Sequence, residues 1–342
     1  MKKIYYIAVV FAILFLAGCG DGIDLPGVNV ETDLNKIPLP DNNVNLEQVE
    51  LKPSTEPMLH EGLHTEEDFQ RIRDKKAAGE EPWVSAYQLL VESQFSQKTA
   101  DTYPTEWIKR GVSGDENYMN AARGATIAYQ QALRWKIEQD DEYAAKAVEN
   151  LNKWVQTCVG VTGNTNLSLA AGLYGYEFAI AGELLRDYEG WDRADFAAFQ
   201  NWLLKVFYPA NDDFLKRHHD TNALHYWANW CLCNIAAKMA IGIVTDRRDI
   251  YNEGIGHLQT GDTNGRLRRA IYHDYAPDYN FAQWQESGRD QGHTLMCVGL
   301  MGVICQLAWS QGDDFFAYDD NLFMRACEYA ACCNYTNETV PY

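Results

Sequence analysis

The sequence predicts an all-α fold: an irregular (α/α) toroid made of consecutive helical hairpins. Three observations lead there. From about residue 57 onward apolar residues recur at helical spacing almost without interruption, and the connections are short and carry Gly, Asp or Asn. No alternating run of β-branched residues stands out, so strand signals are scarce. No fixed-period repeat is visible, which disfavours a regular array of tetratricopeptide type and leaves an irregular ring of hairpins.

The elements follow in chain order. Lys2 and Lys3 precede an apolar run over residues 4–16, too short for a comfortable membrane span. The run ends in Leu16-Ala17-Gly18-Cys19, which resembles the bacterial lipobox. That resemblance implies a lipoprotein signal peptide over residues 1–18, cleavage before Cys19 and lipidation of its thiol. Residues 19–56, rich in Asp, Asn, Pro and Gly, read as a flexible tether. Residues 57–342 are the expected folded domain. The expected product is an exported lipoprotein, periplasmic or anchored at the outer membrane or cell surface.

Within the domain, Thr65 followed by Glu66-Glu67-Asp68 is a helix start, a capping threonine with acids in the first turn. Pro82 opens the next helix. Amphipathic stretches then run over about 116–138, 142–157, 167–187, 193–207, 221–243, 290–311 and 320–333.

The chain carries 29 Lys and Arg against 48 Asp and Glu, a formal charge of −19. A nucleic-acid partner, which needs a basic footprint, is therefore excluded from the expected functions. A polyanionic ligand would need a local basic groove inside this acidic shell. Tyr and Trp, at 20 and 10 residues, are a mild hint of sugar binding, since a ring with an apolar face and polar edge suits a pyranose. The cysteines after Cys19 lie mostly in apolar helical patterns such as Trp230-Cys231-Leu232-Cys233 and read as small buried hydrophobes. No Cys/His spacing suggests zinc, so no metal and no cofactor is expected. His60 and His64 read as surface residues.

Two stretches are dense in polar groups. In the first, residues 217–230, a helix starting near Thr221 would put Asn222, His225, Tyr226 and Asn229 on one face. Such a stripe needs partners or a cavity. The second spans Tyr272-His273-Asp274-Tyr275 and Gln283-Trp284-Gln285-Glu286-Ser287-Gly288-Arg289-Asp290-Gln291-Gly292-His293-Thr294. A helix from about Ser287 would align Glu286, Arg289 and His293. With Arg266, Arg268 and Arg269 upstream, this is the natural docking place for carboxylates.

The 283–294 run resembles the signature of the alginate-lyase superfamily, and more closely its bacterial helical-toroid alginate and glucuronan lyases. The segment from Asn222 to Trp230 is similar to that family's Asn/His helix, and Gln311-Gly312-Asp313-Asp314 with Cys327-Glu328-Tyr329 to its closing hairpin. The resemblance covers about residues 57–342 and implies further helices past Val340-Pro341-Tyr342, so an incomplete toroid of about six hairpins. It implies an acidic polysaccharide substrate, alginate or glucuronan, cleaved by β-elimination. In that chemistry a base takes the C5 proton of a uronate while its carboxylate is neutralised.

Carried over, Asn222, His225 and Arg289 are the neutralising or basic groups, and Tyr272 and Tyr279 the candidate catalytic tyrosines, with Tyr275 a third. Tyr275, Gln285, Glu286, His293, Arg269 and Trp284 are expected substrate contacts, with Glu286 also orienting Arg289. Two departures stand out. Well-known members carry adjacent Asn-Asn-His before Tyr-Trp, where this chain has Asn222-Ala223-Leu224-His225-Tyr226-Trp227. Met296 occupies the place of a tyrosine seven residues after the arginine, so the base must come from the preceding loop or elsewhere. Two alternatives stay open: a helical-toroid glycoside hydrolase using carboxylates among Glu177, Glu286 and Asp290, and a non-catalytic surface glycan-binding lipoprotein.

Overall fold

The structure, a computed structural model, describes residues 54–335, 340 and 341. The expected signal peptide, Cys19 and residues 19–53 of the tether expected over 19–56 lie outside the described residues. Helices α1 (Glu66–Ala77) and α2 (Trp83–Glu92) lead in. At α1 the expected capping box forms: Asp68 N–H donates to Thr65 Oγ1 at 3.2 Å and Thr65 N–H to Asp68 Oδ2 at 3.0 Å. Then come α3 (Tyr118–Glu138), α4 (Asp141–Thr157), α5 (Leu167–Leu184), α6 (Arg193–Val206) and α7 (Tyr208–Arg217). They are followed by α8 (Ala228–Val244), α9 (Arg248–Thr260), the one-turn α10 (Leu267–Ala270), α11 (Gln291–Ser310) and α12 (Tyr318–Tyr335).

The architecture is a helical toroid. Helices α3, α5, α8 and α11 pack side by side as an inner layer, while α4, α7, α9 and α12 pack outside them. Helix α8 sits in the middle and is buried along almost its whole length. Its close approach to α5 depends on Gly172, where a Cβ would sit 2.5 Å from Cys233 Sγ. The cysteines behave as expected: Cys158, Cys231, Cys233, Cys297 and Cys305 are buried.

Among the described residues, four short strands depart from the purely helical expectation. β1 (Trp107–Arg110) runs parallel to β2 (Gly160–Gly163), and β3 (Ile271–Asp274) antiparallel to β4 (Ala282–Trp284). The first pair has a positional consequence. β1 leads into α3 and β2 into α5, so a parallel pairing puts the starts of both inner helices at one end. Ser168, in the first turn of α5, meets His219, in the loop that leads from α7 to α8, at 3.1 Å. Gln285, before α11, meets the first residue of α8. The N-terminal ends of all four inner helices thus share one rim.

The opposite end is crossed by residues 54–64. Gln311, just past α11, takes the Leu59 N–H at 2.9 Å and donates to the Leu59 and Glu61 carbonyls. Arg248, at the start of α9, donates to the Glu56 and Pro57 carbonyls. His64 is not a free surface residue: its Nε2 lies 2.6 Å from Tyr129 Oη, its ring packs on Phe69, and burial lowers its pKa to about 4.

The main correction to the expected helices falls at the first polar stretch. No helix spans 221–227. The Asn222 side chain takes the Leu224 N–H at 2.8 Å, a local turn that competes with helix. Asn264 Nδ2 donates to the Leu224 and Tyr226 carbonyls. Trp227 is extended, and α8 starts only at Ala228. Asn222, His225, Tyr226 and Asn229 therefore do not form one helical stripe. Likewise Gln285–Gly288 is a 3-10 turn and α11 starts at Gln291, capped by Asp290.

Candidate active site

Two segments meet on the rim. The loop before α8 is held against the turn before α11 through the first N–H groups of α8, which a helix leaves unpaired. Ala228 N–H donates to Gln285 Oε1 at 3.0 Å and Asn229 N–H to Glu286 Oε1 at 3.1 Å. Arg289 completes the junction, its guanidinium 5.6 Å from the centre of the Trp227 ring. Its Nη1 lies 3.4 Å from Glu286 Oε2, and its Nε 3.8 Å from Asp290 Oδ2.

Electrostatics keep this corner ordered. Burial raises the Glu286 carboxyl above its ordinary range against the pull of the Asn229 N–H, Arg289 and His293. Burial would also raise Asp290, but the His293 N–H and imidazole outweigh it and hold that carboxyl low. His293 Nδ1 sits 2.6 Å from Asp290 Oδ2. The rim also faces the positive ends of the inner-helix dipoles, each equivalent to roughly half an elementary charge at low screening. Anions are favoured there despite the acidic whole.

The expected site residues fall into three groups. Arg289 and Gln285 are brought together beside Trp227 and the start of α8, and His293 adjoins them through Asp290. Asn222 and His225 are exposed on the adjoining loop, with the His225 ring against Tyr226 at 4.9 Å. Tyr272 lies at a bulge in the β3–β4 ladder, a feature that re-aims a side chain. Tyr279 is half-exposed on the loop between these strands.

Other expectations need correction. Trp284 is fully buried, its Nε1 donating to the Ala326 carbonyl at 3.0 Å and its ring edge-on to Phe323, so it is core and not a sugar contact. Glu286 is also fully buried and bonded within the fold; it positions Arg289 and does not meet substrate. Tyr275 donates its hydroxyl to Gln283 Oε1 and stacks on Tyr329, which commits it to the wall. Of the arginine cluster, Arg268 is buried in an ion pair with Asp319. Arg269 is half-buried, its Nε enclosed without a hydrogen-bond partner. Of the carboxylates suggested for hydrolysis, Glu286 is paired with Arg289 and Asp290 caps α11, while one oxygen of the buried Glu177 has no hydrogen-bond partner.

His219 was not singled out from the sequence. It bridges α5 and the α8 loop through Ser168, and its ring lies against Phe214 and Tyr226. His218, His219 and Asp220 all have positive φ, a run of left-handed residues costing about 1–3 kcal/mol each and typical of functional segments. The adjacent His-His-Asp was the available signal. Among the described residues no group of three His, Cys, Asp or Glu side chains is arranged to hold a metal ion.

Comparison with known proteins gives this rim a context. A tyrosine-to-phenylalanine variant of alginate lyase A1-III complexed with a tetrasaccharide superposes with a TM-score of 0.59 at 13% identity, covering 81% of this chain and 79% of that one. Alginate lyase A1-III from Sphingomonas species A1 gives 0.56 at 13% identity, covering 81% and 80%. An alginate lyase from Bacteroides ovatus gives 0.54 at 14% identity, covering 79% and 82%. At these identities the likeness is one of fold. No curated protein matches the sequence. The sequence profile described as alginate lyase, however, matches residues 72–338, most of the chain. A match of that extent, on the toroid those lyases share, makes this chain a member of the alginate lyase family and a polysaccharide lyase.

Proposed function

We propose that the enzyme cleaves a uronic-acid polysaccharide, alginate or glucuronan, by β-elimination at the rim. Arg289, Asn222 and His225 neutralise the carboxylate of the sugar being cleaved. A base then removes the C5 proton, the electron pair forms the C4–C5 double bond, and the C4–O bond breaks with a proton passing to the leaving oxygen. Tyr272, Tyr279 and His225 are the candidate bases. An ordinary tyrosine has a pKa of about 10, so a tyrosine base would depend on nearby positive charge to ionise. His293 and the Gln285 amide nitrogen would contact the polymer beside this point.

The observation that carries the reading is the junction itself. Gln285 and Glu286 grip the start of α8 and hold Arg289 over Trp227, beside the loop of Asn222 and His225. The test is a panel of polyuronates given to the wild type and to Arg289→Ala, followed by ultraviolet absorbance of the unsaturated uronate. The expected loss in kcat is about 10²–10³-fold, the usual effect of removing one donor to developing charge, with the melting temperature nearly unchanged. New reducing ends without that absorbance would mean hydrolysis and overturn the proposal.

We also propose that Cys19 carries a lipid anchor, supported by Lys2, Lys3, the apolar run 4–16 and Leu16-Ala17-Gly18 before it. Cys19→Ala should move the protein from the membrane fraction to the soluble one. An unchanged distribution would rule the anchor out.

A further inference from the structure

Buried arginines in this acidic chain are matched with acids. Arg134 pairs with Glu138, Arg186 with Glu183, Arg268 with Asp319 and Arg325 with Asp274. Arg110 differs. It is half-buried at the end of β1, no carboxylate pairs with it among the described residues, and its Nη1 is enclosed without a hydrogen-bond partner. Its guanidinium lies 4.6 Å from the centre of the Tyr118 ring, and Tyr118 stacks on Tyr174 at 6.4 Å. A cation withdrawn from water without a counter-charge is costly, and such a group persists where an anion arrives from outside.

Its place in the fold shows where that anion would lie. Arg110 pairs in register with Gly163, so it stands where α3 and α5 begin, on the rim. The turn after it is tight: Gly111 has φ +79°, and a Cβ there would collide with the Asn164 side chain. Around the inner layer the order is α3, α5, α8, α11, with Arg110 before the first and Arg289 before the last. Three helix spacings of about 8–10 Å put the two guanidinium groups roughly 20–30 Å apart along the rim. They cannot share one carboxylate. A run of several sugar residues could reach both.

We propose that Arg110, seated on Tyr118, is a second anion subsite that binds the carboxylate of another uronate of the same polysaccharide chain, several residues from the one held by Arg289. This rests on the lyase reading above. The Tyr118 ring lies against the guanidinium, and with Nη1 enclosed an arriving carboxylate would take the edge formed by Nε and Nη2, whose paired N–H groups match its two oxygens. The enzyme therefore prefers long, contiguous runs of uronate and grips short oligomers less well.

The experiment compares wild type, Arg110→Gln and Arg110→Lys on a polyuronate and on its shortest cleavable oligomer. Arg110→Gln should raise KM for the polymer about tenfold, equivalent to about 1.4 kcal/mol of binding, with kcat little changed. The preference for polymer over oligomer should shrink by the same factor. Arg110→Lys should recover part of it, keeping the charge without the fork. An equal effect on both substrates, a loss in kcat alone, or an unchanged KM for the polymer would each overturn the subsite. Should the wild type cleave no polyuronate, the lyase reading fails by itself. Calorimetric titration with the polymer and with its carboxyl-reduced form then tests Arg110 separately. Weaker binding of the charged polymer by Arg110→Gln supports the subsite, and equal binding by wild type and variant refutes it. If thermal melts show that Arg110→Gln does not fold, Arg110→Lys carries the same comparison.

Discussion

Replacing Glu286 by glutamine separates two tasks of one buried carboxylate. Its Oε1 accepts the Asn229 N–H at 3.1 Å, and its Oε2 faces Arg289 Nη1 at 3.4 Å. Glutamine keeps an acceptor for the first and removes the charge from the second. At an effective dielectric constant near 20, charges 3.4 Å apart attract by roughly 5 kcal/mol. The net hold is far smaller, because burial already opposes ionisation of this carboxyl. Hydrogen bonds to charged groups net about 1.5–3 kcal/mol, and the Arg289 side chain is about one-third exposed, so the lower figure applies. Freed by that amount, Arg289 should lose its position on Trp227 and kcat/KM should fall roughly tenfold. The urea midpoint should hardly move, since the lost attraction and the relieved desolvation nearly cancel. Glu286→Ala should differ: it strands the Asn229 N–H and opens a void, and breaking such a buried pair costs about 3–5 kcal/mol. Urea denaturation and initial rates of unsaturated-uronate formation measure both quantities. Wild-type kcat/KM in Glu286→Gln would refute the positioning argument, as would a loss of stability equal to that of the alanine variant.

Glu177 predicts a pH dependence of stability. Burial raises its pKa from 4.5 to about 8, and one of its oxygens has no partner. The folded state therefore holds a proton that the unfolded state has released over that window. This contribution is full below about 4.5 and is lost as pH rises through about 8. Glu177→Gln should flatten this trend in urea midpoints taken across the window, and a parallel slope in the variant would contradict it. Tyr272→Phe should reduce kcat by about 10²–10⁴-fold if its hydroxyl is the base, with no change in melting temperature. Tyr275→Phe should instead cost about 1 kcal/mol of stability and leave kcat near wild type, because its hydroxyl serves Gln283. Reversed outcomes for the two tyrosines would exchange their roles. Trp284→Ala should cost about 3–5 kcal/mol through an unfilled core volume. A variant with an unchanged melting temperature and a raised KM would show that the ring meets sugar after all.

Helix content and order were legible because periodicity is local. The stretches expected over 116–138, 142–157 and 193–207 appear as Tyr118–Glu138, Asp141–Thr157 and Arg193–Val206, nearly end for end. The Thr65 box reads directly from residue types three apart. Helices Tyr208–Arg217 and Arg248–Thr260 were not anticipated. Most of their residues are polar, and only a few, such as Phe214 and Leu215 or Ile250 and Tyr251, reach the core. The strands were missed for a related reason: four residues or fewer cannot display an alternating pattern.

The site divides the same way. The dense run over residues 283–294 pointed to Arg289 and the turn before α11, because residue types and spacing are carried by neighbours in sequence. Which of those side chains face outward was decided elsewhere. Trp284 is core because Ala326 and Phe323 close over it, and Glu286 is buried because α8 begins directly above it. The Asn222 loop stays out of helix because Asn264, some forty residues on, takes two of its carbonyls. By itself the sequence determined most of the helices, their order and the two dense polar segments, all consequences of spacing along the backbone. Tertiary structure alone decided that Arg110 and Arg289 share a rim, since two residues 179 positions apart come to one end of the molecule only after the inner helices have packed with their first turns together.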